Sequence, residues 1–275
     1  MLLLCLNNPA GTADADTMRV LLHIPRESLK TELARSSDHV MLFPRFCITR
    51  NSREIRLGLL VGNARGDKEA FWFFDQRGRI IGRTNWISSE RETLDVWQCR
   101  LFGRRVYYGA IEGPCFLVRQ DTLLKAESPW ALLIHKNNLG YGEGPLYRVP
   151  LFQSNGEEIL SLDDSTWTIT RLDLRNQGIS SWHIGRPKET VWYWQDPIIG
   201  MFGEKLVLWQ SGRILSVNIA TNERKTINLN SSRFRLRFGN IASEAEFHGI
   251  SYFSMGDCFY VLMLTDRGIF VFAAP

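Results

Sequence analysis

Residues 201–229, MFGEKLVLWQSGRILSVNIATNERKTINL, contain three runs of β-forming residues separated by two turn signals. Alternating apolar and polar residues favour strands, and Ser-Gly or Thr-Asn between such runs is typical of a hairpin. The stretch is therefore predicted to be a three-stranded meander. Its strands are expected at 205–209, 214–219 and 225–229, and its turns at 211–212 and 221–222.

The same layout recurs along the chain. A phenylalanine precedes a predicted hairpin in each copy, and the period is about 50 residues. These markers are Phe102, Phe152, Phe202 and Phe253. An earlier copy, EAFWFF at 69–74 followed by the turn at 75–78, has the same strand-turn-strand form, with Leu42-Phe43 as its marker. The chain is therefore predicted to consist of about five similar β units.

Repeated β units of this size resemble the blades of the β-propeller superfold in general, which includes the WD-repeat and kelch proteins. The resemblance covers about residues 40–275, but the WD dipeptide and the kelch double glycine are absent, so no specific family is indicated. It implies an all-β, propeller-like ring of five to six small antiparallel sheets. A β-sandwich or another all-β domain is the alternative.

The N-terminal region differs from the repeats. Residues 1–17 are small and polar for most of their length and are predicted to be disordered, which leaves 18–275 as a single propeller-like domain. One short helix is predicted within 25–39, where Leu29 and Leu33 have helical spacing. MRVLLHI at 18–24 is predicted to pair with the last repeat, which ends in the strand-like IFVF and lacks an outer strand.

Composition excludes several classes of protein. Five cysteines without a CxxC pair argue against a disulfide framework and a thiolate zinc site, and no apolar run is long enough to span a membrane. Buried thiols in a reducing compartment follow from this pattern, so a soluble cytoplasmic protein is expected. The net charge of +4 is mild and counts against nucleic acid as the ligand.

Two stretches are candidate partner-binding surfaces. SSRFRLRFGN at 231–240 alternates, which places Arg233, Arg235 and Arg237 on one side of a strand, where they could meet an acidic partner. A solvated sheet edge that blocks aggregation is the alternative interpretation. Trp192 and Trp194 share one side of another predicted strand and could form an aromatic platform, or they could pack between repeats.

No catalytic residue, cofactor site or metal site is predicted. The loop NLGYGEGP at 138–145 lacks phosphate-loop spacing, the five histidines are scattered, and no GxSxG motif occurs. The pair Asp163-Asp164 is expected at a hairpin turn, where Asp is a common turn residue.

These features predict a non-catalytic platform that binds another protein through the loops of its repeats and an Arg/aromatic surface. The alternative is a propeller-type hydrolase, glycosidase-like, with paired carboxylates in a central channel. That alternative requires acids at equivalent places in successive repeats. When the repeats are aligned on their phenylalanines, the acids shift from copy to copy.

Overall fold

The fold is described by a computed structural model over residues 18–35, 39–50, 55–88, 98–109, 114–137, 139, 151–163, 166–185, 198–210, 213–229 and 247–274. These residues form an all-β structure with several antiparallel sheets and two short helices. Neither helix has the length and hydrophobicity of a membrane-spanning segment. We number the sheets I to V by the order of the repeats in the chain, and the first strand of a sheet is the first strand of its repeat, which is β19 in sheet V.

Sheets I and II contain the first half of the repeats. The first strand of each sheet pairs with the second, the second with the third and the third with the fourth, all antiparallel. Sheet I consists of β2 (Val40–Arg50), β3 (Ile55–Asn63), β4 (Lys68–Phe74) and β5 (Ile80–Arg83), with β6 (Ile87–Ser88) beside β4. Sheet II consists of β7 (Gln98–Phe102), β8 (Arg105–Gly109), β9 (Cys115–Val118) and β10 (Leu123–Ala126).

Sheets III, IV and V follow the same plan. Sheet III contains β11 (Leu151–Gly156), β12 (Glu158–Asp163), β13 (Thr168–Asp173) and β14 (Ile179–His183). Sheet IV contains β15 (Ile198–Phe202), β16 (Lys205–Gln210), β17 (Arg213–Asn218) and β18 (Arg224–Asn228). Sheet V contains β19 (Phe247–Met255), β20 (Cys258–Thr265) and β21 (Gly268–Ala274), and its fourth strand is β1 (Arg19–Pro25) from the N-terminal end of the described chain.

The prediction for residues 201–229 is confirmed in its strands, which are β16, β17 and β18. The turn at 221–222 is present, and its Asn222 adopts a left-handed φ of 58°. The Asn218 side chain stabilises this turn because its Oδ1 accepts the backbone N–H groups of Ala220 and Thr221, each at 2.9 Å. Residues 211–212 lie outside the described part of the chain.

The expected pairing of the N-terminal strand with the last repeat is also present. Strand β1 runs antiparallel to β21, with Arg19 opposite Ala273 and Pro25 opposite Gly268. Leu22 and Ile24 on β1 are buried, whereas His23 between them is exposed. The alternating burial of Leu22, His23 and Ile24 therefore corresponds to one buried and one solvent-facing side of an edge strand.

The helix prediction is correct for one helix and missed the other. Helix α1 (Arg26–Arg35) follows β1 directly, as expected, and buries Leu29. A second helix, α2 (Ala131–Lys136), lies between sheets II and III, although no helix was predicted there. Its six residues are too few to give a helical pattern, and burial of Trp130 and Ile134 in the cluster shared by the two sheets holds it in place.

Neighbouring sheets bury their faces against each other. On β16, Leu206 and Leu208 belong to the cluster shared with sheet III, whereas Val207 and Trp209 belong to the cluster shared with sheet V. Consecutive side chains of a strand point to opposite faces, so both faces of sheet IV are covered. The same division between two clusters is found along β8, β12 and β20.

The first strands of the sheets approach one another closely. They are in contact in the order β2, β7, β11, β15, β19 and back to β2. Strands β7 and β11 even form a short parallel pair, with Asn155 opposite Leu101. Two serine hydroxyls bridge such contacts: Ser154 donates to the Leu101 carbonyl, and Ser254 donates to the Ile199 carbonyl.

Glycine is required where β11 ends. Gly156 has a φ of 96°, and a Cβ at this position would lie 2.3 Å from the backbone oxygen of Gly103 in sheet II. Gly103 itself has a φ of 57°, but a Cβ there would meet nothing within 4 Å. The two glycines therefore share a left-handed backbone and differ in the space around them.

We predict that Gly156→Ala lowers the free energy of unfolding by more than about 2 kcal/mol, because strain and a backbone clash add together. Gly103→Ala is the matched control and should cost about 1 kcal/mol, the left-handed penalty alone. Chemical denaturation of both variants measures the difference. Equal losses for the two variants would contradict the close contact between sheets II and III.

Candidate functional site

Four hairpin turns, each joining the first two strands of a sheet, meet at one end of the sheets. The Gly103 N–H donates to the Gly156 carbonyl at 3.0 Å, and the Gly256 N–H donates to the Asn155 carbonyl at 3.2 Å. Gly203 lines a cavity together with Asn155 and Asp257. We call this surface the turn face; it consists of Gly103-Arg104, Gly156-Glu157, Gly203-Glu204 and Gly256-Asp257.

A charged residue follows the glycine in each of these four turns. Three of the four are acids, namely Glu157, Glu204 and Asp257, and the fourth is Arg104. The expectation that acids do not align between repeats is therefore wrong. It came from aligning the marker phenylalanines, but Phe102 and Phe202 directly precede their glycine, whereas Phe152 and Phe253 lie four and three residues before theirs.

A polar cavity of about 170 Å³ opens between the turns of sheets III, IV and V. We call it the acidic cavity, because four carboxylates and two guanidinium groups contribute to its lining. The charged side chains are Glu157, Glu158, Arg171, Asp173, Arg175 and Asp257.

Glu158 is the most deeply buried of these charged residues, with 5% of its surface exposed. Its Oε2 lies 2.5 Å from Arg171 Nε, and its Oε1 accepts a hydrogen bond from Asn155 Nδ2 at 3.2 Å. The Oδ1 of Asn155 in turn accepts the backbone N–H of Glu158 at 3.1 Å. The carboxylate is therefore held in one orientation by a cation and an amide.

Burial raises the pKa of Glu158 above its ordinary value. The Arg171 guanidinium opposes this shift in pKa, and the nearby carboxylates Asp173 and Asp257 reinforce it. Desolvation outweighs the ion pair here because Arg171 is itself half-exposed, so water screens its charge. A buried acid with a raised pKa beside two other acids is a common feature of functional sites.

The ion pair between Glu157 and Arg175 forms one rim of the acidic cavity. Glu157 Oε1 lies 2.5 Å from Arg175 Nη2, and both side chains are more than half exposed. Asp173 Oδ1 accepts the Arg175 backbone N–H at 2.8 Å. These three residues also line a second, larger space of about 590 Å³ between sheets II and III, which we call the inter-sheet cleft.

The predicted partner-binding residues cannot be placed. Arg233, Arg235 and Arg237 belong to the segment between β18 and β19, and Trp192 and Trp194 to the segment between β14 and β15; both segments lie outside the described residues. The same holds for all of the loop 138–145 except the buried Leu139. The Arg row and the tryptophan pair therefore stay predictions.

Other residues weighed in the sequence have structural surroundings. Asp163 ends β12, and its Oδ2 accepts the Thr166 hydroxyl at 2.8 Å, as expected of a turn residue. Cys47, Cys99, Cys115 and Cys258 are buried and form no disulfide bond. Among the described residues, no group of three His, Cys, Asp or Glu side chains is arranged to hold a metal ion.

Sequence reasoning missed every residue of the acidic cavity. A usable signal was present, because the dipeptides Gly-Glu, Gly-Glu and Gly-Asp lie at the ends of the first strands of sheets III, IV and V. Aligning the repeats on these glycines, whose φ angles are all positive, groups Glu157, Glu204 and Asp257. Arg171 and Asp173 on β13 and Arg175 after it carry no such signal, since only strand pairing brings them beside Glu158.

The chain was compared with protein-family models, curated proteins and solved structures. No protein-family model and no curated protein match it. Similar solved structures include the AfRom2 CNH domain (TM-score 0.34, 9% identity, 84% of this chain and 63% of that one). A subtype N11 neuraminidase-like protein of A/flat-faced bat/Peru has a TM-score of 0.36 and 8% identity, over 86% of this chain and 88% of that one. BamB from Moraxella catarrhalis has a TM-score of 0.29 and 8% identity, over 86% of this chain and 96% of that one.

The last two of these structures are propeller-type proteins. The chain spans less than two thirds of the CNH domain structure. All three TM-scores are below 0.5, so these similarities do not assign the chain to a family.

The raised pKa of Glu158 predicts how stability depends on pH. Between its ordinary pKa of 4.5 and its higher value in the folded protein, the folded state binds more protons than the unfolded state. Stability should therefore fall as the pH rises through this window. We expect the free energy of unfolding of the wild type, relative to Glu158→Gln, to decrease with rising pH, measured by urea denaturation from about pH 4 to 8. A difference that does not change with pH would contradict the assignment.

Proposed function

We propose that the chain is a non-catalytic platform that binds another protein at its turn face. One observation carries this proposal: turns from four different sheets place charged side chains on a single surface. Binding residues are commonly found on loops that a rigid scaffold positions. The buried strands beneath the turn face supply such a scaffold.

The charges of the turn face favour a partner with basic groups. The acidic cavity has four carboxylates against two guanidinium groups. Glu157 and Glu158 each form an ion pair with an arginine, whereas Asp257 forms none with any described residue. A lysine or arginine side chain of a partner would complement this excess of negative charge. The predicted contact of the Arg row with an acidic partner would be a separate surface.

We further propose that the five sheets form a closed, propeller-like ring. The cyclic order of contacts among the first strands supports this arrangement. The pairing of β1 with β21 supports it as well, because a strand that precedes the first repeat then completes the sheet of the last repeat. A ring would give the turn face a fixed geometry, since no sheet could move without disturbing two neighbours.

Asp257→Lys tests the platform. Asp257 is exposed in a turn, so the substitution should leave the thermal midpoint nearly unchanged while reversing a charge at the cavity. We expect a partner that co-purifies in stoichiometric amount with the tagged wild type to fall at least about tenfold, which corresponds to about 1.4 kcal/mol. Quantitative mass spectrometry of material purified from the native host measures this loss.

Glu127→Lys is the matched control. Glu127 is exposed and lies at the end of sheet II that is opposite Arg104. It directly follows Ala126, which pairs with Cys115, and Cys115 in turn pairs with Gly109 at the far end of β8. It undergoes the same change of two charge units and should retain the partner. Equal retention by Asp257→Lys, or a wild-type protein that purifies alone, would overturn the proposal.

A hydrolase is the second candidate, and the acidic cavity is the observation that favours it. Glu158 would donate the proton and Asp257 would be the second carboxylate. Two features argue against this role: Glu158 is clamped by Arg171 and Asn155, and the cavity of about 170 Å³ is below the size of most ligand sites. A panel of p-nitrophenyl glycosides tests it. Release of nitrophenol above the Glu158→Gln background would favour the hydrolase over the platform.

Location in the cytoplasm and the absence of nucleic acid among the ligands stay predictions from composition.

A further inference from the structure

The inter-sheet cleft has the size of a small-molecule site. Its volume is about 590 Å³, and sites for small ligands span roughly 300–1,000 Å³. Helix α2 packs against both sheet II and sheet III, and Leu133 on this helix lines the cleft. Trp130, which directly precedes α2, packs edge-on against Phe102 and Tyr107, with ring centroids 6.4 and 5.5 Å apart. The walls are therefore fixed before any ligand binds.

Part of the cleft lining is apolar. Phe102 comes from β7, Leu133 from α2, and Leu172 and Leu174 from the end of β13 and the turn after it. Leu172 is buried, whereas the other three remain partly exposed to the cleft solvent. A large apolar group placed there would remove their surface from water.

The charges of the cleft balance once the existing ion pair is set aside. Glu157 and Arg175 neutralise each other at 2.5 Å. Arg104, from the turn of sheet II, forms no ion pair with a described residue. Asp173, from sheet III, accepts the Arg175 backbone N–H but likewise has no cationic partner among the described residues. One cation from sheet II and one anion from sheet III are therefore available to a ligand.

A neutral amide supplements the carboxylate. Asn137, which directly follows α2, lines the cleft, and its Nδ2–H donates to the Leu133 carbonyl at 2.8 Å. Because Nδ2 is used in this hydrogen bond, Oδ1 of Asn137 is left as an acceptor. An ammonium group carries only donors and suits acceptors such as Asp173 and Asn137.

We propose that the inter-sheet cleft binds a free α-amino acid with a large apolar side chain. Its carboxylate pairs with Arg104, its ammonium group with Asp173, and its side chain packs on Phe102 and Leu133. A ligand of single charge would leave either Arg104 or Asp173 facing it without compensation, which a zwitterion avoids. This inference goes beyond the platform function and does not depend on it.

Calorimetric titration with three matched probes tests the proposal. L-phenylalanine carries both charges, 3-phenylpropionate lacks the ammonium group, and 2-phenylethylammonium lacks the carboxylate. We expect saturable binding of L-phenylalanine and at least about tenfold weaker binding of each analogue, since a hydrogen bond to a charged group is worth about one such factor or more. No heat with L-phenylalanine up to about 10 mM, or equal affinity for the three probes, would overturn the proposal.

Two substitutions assign the two charges. Arg104→Met should bind L-phenylalanine no better than the wild type binds 2-phenylethylammonium. Asp173→Asn keeps an oxygen for the Arg175 N–H and should bind L-phenylalanine no better than the wild type binds 3-phenylpropionate.

Matched controls are available in sheet II. Arg119→Met and Asp121→Asn change the same residue types at exposed positions that do not line the cleft, and they should bind as the wild type does. Unchanged affinity in Arg104→Met and Asp173→Asn would overturn the assignment. If either variant fails to fold, the three probes on the wild-type protein still decide.

Discussion

The burial of both faces of a small sheet is the constraint on which the rest of this structure depends. On β20, Tyr260 and Leu262 pack toward sheet I, whereas Phe259 and Val261 pack toward sheet IV. Such a strand has no solvent-facing side, so its sequence is apolar almost throughout. A four-stranded sheet of this composition is stable only when a neighbour covers each face.

Because both faces of each sheet are buried, the first strands are crowded. This crowding restricts which residues fit in them. Ser154 and Ser254 are buried, and their hydroxyls donate to carbonyls of the neighbouring sheet instead of water. Gly156 is required because a carbonyl of sheet II occupies the space of its side chain. The crowding also brings the turns after these strands together, which is why residues from three sheets line one small cavity.

The site inherits its electrostatics from the same packing. Glu158 begins β12 directly after the turn of sheet III, where neighbouring turns exclude water, so its pKa rises although Arg171 lies beside it. The inter-sheet cleft lies where α2 packs against both sheet II and sheet III, with Trp130 buried in the cluster that the two sheets share. The acidic cavity and the inter-sheet cleft thus both lie where sheets meet, and neither lies within a single sheet.

The sequence by itself determined the local structure. Alternating residues and turn dipeptides are short-range signals, so they located β16 to β18, the turn at Asn222 and the helix after β1. The lack of an outer strand in the last repeat also indicated that residues 18–24 would pair with it. These features depend on residues a few positions apart, whose preferences act before any tertiary contact forms.

Only the tertiary structure decided the site. The equivalence of Glu157, Glu204 and Asp257 depends on strand register, which spacing between phenylalanines does not reveal. Arg171 reaches Glu158 through the pairing of β12 with β13, and Asp257 reaches it from a sheet whose chain lies about a hundred residues away. Helix α2 forms because two sheets bury Trp130 and Ile134, and six residues carry no helical pattern of their own. Proximity between residues of different sheets results from packing, which the local periodicity of the sequence does not specify.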